Sequence, residues 1–276
     1  MVSSVSVLMV SHNARAHVLR ALASVADAEQ VVLVDNASKD GTPAAVARAA
    51  PFVTLLGRRD NLGFGRAVNV GLARATGEFV LLLNSDAWLP RGGLSALVSA
   101  YRRAEARHGR IGALGVRQVD EAGRLQMGVG PKPTLLNEAL RSLWQRTLDR
   151  RGTPSSAVAA WGLALALGRP RLVPWASASC LLLRRRDLQR IGGFDPAYFL
   201  YFEDTDLCLR LARAGLPVAY EPGVTVVHAR GQSAREAPSL ARRAYRHGQI
   251  VFARRWRRPW VAAQIARFAQ WRGRGA

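Results

Sequence analysis

Cysteine is scarce in this chain, and its scarcity limits the possible functions. Cys180 and Cys208 are the only cysteines among 276 residues, so a zinc ribbon is excluded. No secretory hydrophobic segment precedes Val5, and we therefore expect reduced thiols and a cytoplasmic active site. The longest apolar run, Ser156 to Leu167, is shorter than the roughly 20 residues that span a bilayer. We expect no transmembrane helix.

Acidic residues are also scarce relative to basic ones. The chain has 40 Lys and Arg against 19 Asp and Glu, a formal net charge of +21, and Lys39 and Lys132 are its only lysines. This arginine excess indicates a polyanionic partner or surface, and nucleic acid, anionic lipid and a nucleotide diphosphate all satisfy it electrostatically. The 49% hydrophobic content is ample for the core of one large domain.

Short apolar runs alternate with helical patterns in the first part of the chain. The predicted strands are Val5–Val10, Val31–Val34, Val53–Leu56 and Phe79–Leu83, and the predicted helices between them are His17–Ala26, Pro43–Ala50 and Gly65–Ala75. This alternation predicts an α/β fold with a doubly wound, mostly parallel sheet flanked by helices.

Polar residues follow the predicted strands directly. In open parallel sheets ligands bind beyond the carboxyl ends of the strands, because loop amides and helix N-termini converge there. We therefore expect one crevice lined by the residues after three strands, namely Ser11, His12 and Asn13, then Asp35, Asn36 and Ser38, then Asn84, Ser85 and Asp86.

The second half of the chain returns to regular structure after a weak pattern. Cys180–Leu183 is predicted as a strand, and a helix follows from about Glu203 to Ala214 with Leu207 and Leu211 facing inward. A further strand ends at His228.

Seven motifs in series carry a resemblance to a known family. They are Ser11–Asn13, Asp35–Gly41, Asn61–Gly71, Asn84–Asp86, Gly192–Asp195, Glu203–Asp206 and His228. In order and spacing this series resembles glycosyltransferase family 2, and within it the bacterial rhamnosyltransferase-like branch. The resemblance implies a GT-A fold and an inverting, metal-dependent sugar transfer from a nucleotide diphosphate donor. The donors it suggests are deoxythymidine-diphosphate rhamnose and uridine-diphosphate sugars, and the acceptor is a cell-envelope glycan or a lipid-linked glycan.

The domain prediction combines the element pattern with this resemblance. Residues 1–230 are predicted as one GT-A domain, with a nucleotide-binding half at 1–116 and an acceptor-binding and catalytic half at 117–230. An insertion at about 131–174, with one or two helices, has the length of a lid or binding segment. Residues 231–276 are predicted as a basic, aromatic, helical appendage.

Two segments depart from the family pattern or refine it. The family usually places a Gly-Ala pair ahead of a small or apolar residue before the catalytic segment, whereas this chain has Ala178, Ser179 and Cys180. The added bulk narrows the expected sugar pocket and leaves the donor sugar open. In the metal motif, Asn84 offers only a neutral oxygen, so Asp86 is the main charged ligand.

The chemistry of transfer assigns roles to the acidic residues. A leaving diphosphate needs a divalent cation with oxygen ligands, which Asp86 provides. The resemblance adds His228, and an imidazole ligand favours Mn²⁺ over Ca²⁺, with Mg²⁺ as the other candidate. An acceptor hydroxyl needs a general base, for which we predict Asp204 with Glu203 beside it, since the helix dipole stabilises a charged carboxylate in the first turn. The alternative is that these residues are ordinary N-terminal helix acids.

Nucleotide contacts are predicted for the remaining polar residues of the motifs. A carboxylate at Asp35 can accept from the imide of uracil or thymine, and Asn13 and Asn69 can bind base, ribose or phosphate. Arg15 and Arg66 are expected to face the diphosphate. The predicted donor set also includes Ser11, Asn36, Asn61, Gly63, Asn84 and Ser85. For Asn61 and Asn69, a role in turns or packing is the alternative.

The basic tail has three possible readings: a solvated helix face, a peripheral membrane anchor or a nucleic-acid surface. The resemblance favours peripheral association with an anionic membrane at its cytoplasmic face. A nucleic-acid-binding α/β protein is the alternative function, but no recognition helix or aromatic RNA motif is visible, so we expect no nucleic acid. An inactive nucleotide-binding homologue is a third reading, which intact Asp86, Asp204 and His228 argue against.

Overall fold

The computed structural model describes residues 4–132, 134–150, 153–229 and 238–257. The strands are β1 Val5–Ser11, β2 Gln30–Asp35, β3 Val53–Gly57, β4 Phe79–Leu83, β5 Ala87–Trp88, β6 Ala113–Val119, β7 Leu125–Gln126, β8 Val129–Gly130, β9 Arg171–Val173, β10 Trp175–Ala176, β11 Cys180–Arg184 and β12 Val218–His228. The helices are α1 Arg15–Ala23, α2 Thr42–Ala49, α3 Phe64–Leu72, α4 Gly93–His108, α5 Leu135–Asp149, α6 Pro154–Ala166, α7 Arg185–Arg190, α8 Glu203–Arg213 and α9 Pro238–Trp256.

The main sheet has the order β3-β2-β1-β4-β11-β6-β12-β5. Its first four strands run parallel, as the alternating pattern predicts. Strand β11 is antiparallel to both of its neighbours, β4 and β6, and β12 pairs with β6 in parallel. The mixed α/β architecture and its mostly parallel first half confirm the predicted fold class.

Helices cover both faces of this sheet, which explains the nearly continuous apolar strands. Along β1, Val7 and Met9 join the core under α1 and α4, whereas Leu8 joins the core under α3, α6 and α8. Because successive side chains of a strand point to opposite faces, a strand buried on both sides must be apolar throughout. Leu207 and Leu211 of α8 are fully buried in the second core, which confirms their predicted inward orientation.

The predicted insertion contains two helices, α5 and α6, which pack side by side. Each begins at a threonine whose side chain accepts from a backbone N–H three residues on: Thr134 from Asn137, and Thr153 from Ser156. Such N-caps satisfy amides that have no partner within the helix. Over the described ranges, no helix is both long and apolar enough to cross a membrane.

The basic C-terminal segment is helical in its described part, α9. Phe252 of this helix is buried in a small cluster with Tyr198, Phe202 and Leu209, so α9 packs on the loop before α8. The approach is close, since a Cβ at Gly248 would lie 2.6 Å from the carbonyl oxygen of Tyr201. The predicted tail residues 231–237 and 258–276 lie outside the described residues.

Candidate active site

A cleft of about 1000 Å³ opens at the carboxyl ends of β1, β2 and β4. The α/β core forms its floor, the start of α8 forms one wall, and α9 and the beginning of α5 contribute to the rim. The predicted site residues that line it are Asn13, Asn36, Asn61, Gly63, Asn84, Ser85, Asp86, Glu203, Asp204 and His228. Residues from both halves of the chain therefore share one cavity.

Asp86 and His228 are brought together by strand pairing. Antiparallel pairing of β12 with β5 sets His228 opposite Ala87, and the Asp86 carbonyl accepts from the N–H of Ala229 at 2.9 Å. As a result, Asp86 Oδ1 lies 3.2 Å from His228 Nε2. Adjacent ligands of an octahedral ion are about 3 Å apart, so this carboxylate and imidazole fit a shared divalent cation.

Further ligands for such an ion must come from outside this pair. The Asn84 amide nitrogen lies 3.4 Å from His228 Nε2, beside the pair. Among the residues that the structure describes, no group of three or more His, Cys, Asp or Glu side chains is arranged to hold a metal. A two-residue site leaves coordination positions open for oxygens of a bound ligand.

The segment before α8 has an unusual backbone. Tyr201 and Phe202 have φ values of 69° and 68°, which bulky L-residues rarely adopt. A close contact holds this segment against the start of α3, since a Cβ at Gly63 would lie only 2.3 Å from the carbonyl oxygen of Phe199. Strained backbone of this kind persists where surrounding contacts fix it, and such positions cluster at active sites.

Two neighbouring carboxylates in the first turn of α8 have different environments. Glu203 is buried, and burial together with the adjacent charge of Asp204 raises its pKa to about 8. Asp204 is half-buried at the cleft, where its Oδ1 accepts from the Thr205 N–H at 2.6 Å. Glu203 is therefore protonated at neutral pH, and Asp204 is the carboxylate of this pair that is available as a base.

Substitution Glu203→Gln is expected to flatten the pH dependence of stability. An acid whose pKa rises from 4.5 to about 8 on folding binds more protons in the folded state, so stability falls as pH rises between these values. In the wild type this contributes a loss on the order of 1 kcal/mol per pH unit, which glutamine removes. Urea denaturation at pH 5, 6, 7 and 8 measures the free energy of unfolding of both proteins. The same pH dependence in wild type and variant would contradict the raised pKa of Glu203.

Asparagine side chains order the loops that follow β1, β2 and β3 at one side of the cleft. Asn36 donates to Asn61 Oδ1 at 3.0 Å and to the Gly63 carbonyl at 3.1 Å, and its own Oδ1 accepts from the Leu62 N–H. The imidazole Nδ1 of His12 lies 2.7 Å from the Asn36 carbonyl oxygen. These bonds join the loops after β1, β2 and β3 into one network.

Asp35 is buried beneath this network, outside the residues that line the cleft. Its carboxylate accepts from the Ser11 hydroxyl at 3.0 Å, and from the Ser38 N–H at 3.0 Å and hydroxyl at 2.5 Å. Ser11 is buried as well. Ser11 and Asp35 stand at the ends of the adjacent strands β1 and β2, as predicted, and they bind each other.

Three other predicted donor residues also lie outside the cleft lining. Arg15 is exposed, Arg66 donates from Nε to the Pro196 carbonyl at 2.7 Å, and Asn69 exchanges two 2.8 Å hydrogen bonds with the backbone of Phe194. The contacts of Asn69 correspond to the packing alternative. Asn61, which does line the cleft, also accepts from the Gly63 N–H at 2.9 Å, as a turn residue would.

Several residues of the site escaped sequence reasoning. Arg242, Tyr245 and Arg246 of α9 line the cleft, although they lie in the segment predicted as an appendage. Asp206, the last residue of the Glu203–Asp206 motif, does not line the cleft; it is fully buried and binds Arg210 at 2.7 Å, Arg255 at 3.2 Å and the Trp256 indole at 2.8 Å. The i,i+4 spacing of Asp206 and Arg210 was a usable signal for their pairing.

Comparison with known families and proteins gives consistent matches. Residues 6–165 match the family model described as "Glycosyl transferase family 2", and residues 157–274 match that of "Glycosyl transferase family group 2". The chain is 32% identical over 269 residues to an N-acetylglucosaminyl-diphospho-decaprenol L-rhamnosyltransferase of Mycobacterium tuberculosis, covering 89% of this chain and 82% of that protein. A shorter match of 57 residues, 46% identical, is to the rhamnosyltransferase WbbL of Escherichia coli, covering 21% and 22% of the two chains.

Solved structures share the fold at lower identity. A mannosyltransferase from Pyrobaculum calidifontis, crystallised with GDP-Man and Mn²⁺, superposes with a TM-score of 0.60 at 22% identity, covering 92% of this chain and 64% of that one. Glucosyl-3-phosphoglycerate synthase of Mycobacterium tuberculosis gives 0.54 at 15% identity, covering 92% and 80%.

Proposed function

Because the chain belongs to glycosyl transferase family 2, we propose that this glycosyltransferase inverts the anomeric centre of a sugar taken from a nucleotide diphosphate, in a metal-dependent reaction. The observation that carries the proposal is the Asp86–His228 pair, 3.2 Å apart, in the same cleft as the carboxylate of Asp204. The Asp86–His228 pair suits the leaving diphosphate, and the Asp204 carboxylate suits the attacking hydroxyl.

Asp86 and His228 are the residues that would hold the metal. A bound Mn²⁺ or Mg²⁺ would neutralise the charge that develops on the leaving diphosphate. Imidazole must be neutral to act as a ligand, and its presence beside a carboxylate suits Mn²⁺ well. The backbone carbonyl of His228 accepts from Gln126 at 2.9 Å, which helps to fix the end of β12.

Asp204 would take the proton of the acceptor. As the acceptor oxygen attacks the anomeric carbon, its O–H proton passes to the Asp204 carboxylate and the bond from that carbon to the diphosphate oxygen breaks. A single displacement inverts the configuration. Buried Glu203, kept neutral, adds no second negative charge next to the base.

The remaining motif residues would support the donor. Asn13, Asn36, Asn61, Ser85 and the backbone at Gly63 border the cleft and would contact base, ribose or phosphate. The Asp35 carboxylate would hold the Ser11 and Ser38 hydroxyls in place by accepting their hydrogen bonds. If these hydroxyls rotate away, it would accept instead from the imide N–H of a pyrimidine base. Arg15, Arg66 and Asn69, which lie outside the cleft lining, stay predictions for nucleotide binding.

A lipid-linked glycan is the proposed acceptor, and deoxythymidine-diphosphate rhamnose is the proposed donor. The name of the relative from Mycobacterium tuberculosis specifies a diphospho-decaprenol acceptor and L-rhamnosyl transfer. In this chain, Arg242 and Arg246 lie one helical turn apart on α9 at the rim of the cleft. Paired guanidinium groups in this position suit the diphosphate of such an acceptor. We place the reaction at the cytoplasmic face of the membrane.

The double substitution of Arg242 and Arg246 by alanine is expected to raise the KM for a diphosphate-linked acceptor about tenfold or more, because charge-assisted hydrogen bonds to phosphate are lost. The affinity for the donor nucleotide should not change. Arg243 and Arg254 are exposed arginines of α9 that do not line the cleft, so their double alanine variant is the matched control. Equal acceptor KM values in both variants would remove the arginine pair from the acceptor site.

A direct transfer assay tests the proposed function. The purified chain is incubated with Mn²⁺, a short-chain prenyl-diphosphate N-acetylglucosamine and each of a set of nucleotide sugars, and products are identified by mass. We expect a mass increase of one deoxyhexose with deoxythymidine-diphosphate rhamnose. Transfer from another nucleotide sugar would correct the donor, and no product with any donor would overturn the proposal.

A further inference from the structure

Helices α5 and α6 expose an unusual amount of apolar surface. Seven large apolar side chains of these two helices each leave between 41% and 68% of their surface exposed; they are Leu136, Leu140, Leu143, Trp144, Val158, Trp161 and Leu165. Only Phe52, Leu172 and Leu240 are comparably exposed in the rest of the described chain. The exposed apolar surface is therefore concentrated on one pair of helices.

Helix α6 has apolar residues on two opposite sides. Ala159 and Leu163 are buried against the α/β core, followed by Leu167 just beyond the helix. Val158, Trp161 and Leu165, at spacings of three and four residues, face outward. A helix that is apolar all round is normally enclosed by protein or lipid, yet one side of α6 is open.

Helix α5 extends this surface. Leu136, Leu140 and Leu143 recur at four and three residues and are exposed on one side of the helix. The Trp144 ring covers Gly162 of α6, since a Cβ at that glycine would lie 3.4 Å from the ring. The two helices thus lie side by side, and we call their seven exposed apolar residues the hairpin surface.

The basic residues around the hairpin surface indicate an anionic partner. Residues 131–171 contain seven basic and two acidic residues, and Lys132, Arg150 and Arg169 are exposed. One of the two acids, Glu138, is buried and bonded to Gln249 of α9 at 3.1 Å. Exposed leucine and tryptophan bordered by cations match a bilayer with anionic headgroups.

The hairpin surface also adjoins the cleft. Pro131, which precedes α5, and Asn137 and Glu138 in its first turn line the cavity that contains Asp204. Leu136 and Leu140 are therefore close in sequence to the cleft rim and project away from the core. An acceptor held in a membrane would reach the cleft beside this surface.

We propose that the hairpin surface docks onto an anionic phospholipid bilayer, with Trp161 and Leu165 entering the boundary between headgroups and acyl chains. The biological purpose of this docking rests on the proposed function, in which the acceptor is linked to a membrane lipid. The hairpin surface would be a membrane contact separate from the basic tail. Docking itself requires no particular donor or sugar. Monomeric soluble proteins rarely expose large contiguous apolar patches that have no binding role, and the bilayer covers the hairpin surface.

Vesicle flotation tests the proposal with the full chain. Wild type, the double variant Trp161→Glu/Leu165→Glu and the control Phe52→Glu are mixed with vesicles of phosphatidylcholine and phosphatidylglycerol, at about 0.15 M and about 1 M NaCl. The two substitutions remove the side chains that enter the acyl boundary and add two negative charges, so we expect the double variant to lose at least about tenfold in partitioning to the vesicles. The control should float as the wild type does, and part of the wild-type binding should persist at high salt.

Other outcomes are equally decisive. Wild-type protein that does not float, or a double variant that floats normally, would overturn the proposal. A wild-type dimer that the double variant dissociates, without flotation of either, would assign the hairpin surface to a second copy of the chain. Cooperative urea denaturation confirms that each variant is folded. Because flotation requires no turnover, a failed transfer assay and a failed docking experiment remain distinguishable.

Discussion

Replacement of Asp204 by asparagine is expected to lower kcat by about 10²- to 10⁴-fold, which is the usual contribution of a general base. The substitution removes one proton acceptor and changes the shape of the side chain little. Asp204 lies at the start of α8 and is not one of the two proposed metal ligands. The affinity for the donor should therefore stay within about twofold of the wild-type value. Single-turnover transfer and calorimetry of the donor measure the two quantities separately.

Asp27→Asn is the matched control for this substitution. Asp27 is exposed and does not line the cleft, so the same loss of one carboxylate there should leave kcat unchanged. Near-normal turnover in Asp204→Asn would exclude Asp204 as the base. A variant in which both turnover and donor affinity collapse would indicate that Asp204 holds the site together rather than accepting a proton.

Replacement of Arg210 by alanine is expected to destabilise the fold by about 3 kcal/mol. Arg210 binds the fully buried carboxylate of Asp206 at 2.7 Å and donates to the carbonyls of Ile191 and Gly193 at 2.9 and 2.7 Å. Its loss leaves Oδ2 of the buried carboxylate without its cation and two carbonyls without these donors, while Arg255 at 3.2 Å and the Trp256 indole at 2.8 Å still contact only Oδ1. Urea denaturation measures the change in the free energy of unfolding.

Arg124→Ala provides a stringent comparison. Arg124 pairs with Asp120 at the same 2.7 Å and the same i,i+4 spacing as Arg210 and Asp206, but its own side chain is 51% exposed. Exposed pairs typically contribute at most about 1 kcal/mol. Similar losses in the two variants would mean that burial of Asp206 adds nothing, contrary to the expectation.

Much of the fold follows from local patterns in the sequence. The four parallel strands β1 to β4 and their helices are short apolar runs alternating with amphipathic segments, so each element is visible by itself. The segment proposed to be catalytic is equally visible, since Leu207 and Leu211 mark the inward side of α8 and Asp204 falls in its first turn. Polar residues after strands predict a shared crevice because parallel strands end at one edge.

Other features depend on contacts between distant residues and leave no local signal. Strand β11 has the same apolar character as a parallel strand, and its antiparallel insertion between β4 and β6 is decided by packing of the whole sheet. The position of α9 at the cleft depends on the packing of Phe252 and Gly248 against the loop before α8. Burial of Asp35 and the Asn69 contacts with Phe194 likewise follow from tertiary packing, which a strand-end position does not specify.

Asp86 and His228 are proposed to hold the metal on which donor binding depends. This role is tested by calorimetric titration of deoxythymidine and uridine diphosphates, with and without Mn²⁺, into wild type and Asp86→Ala. We expect a pyrimidine diphosphate to bind the wild type only when Mn²⁺ is present, and this binding to be lost in the variant. Equal binding with and without the metal, or equal binding by the variant, would contradict it.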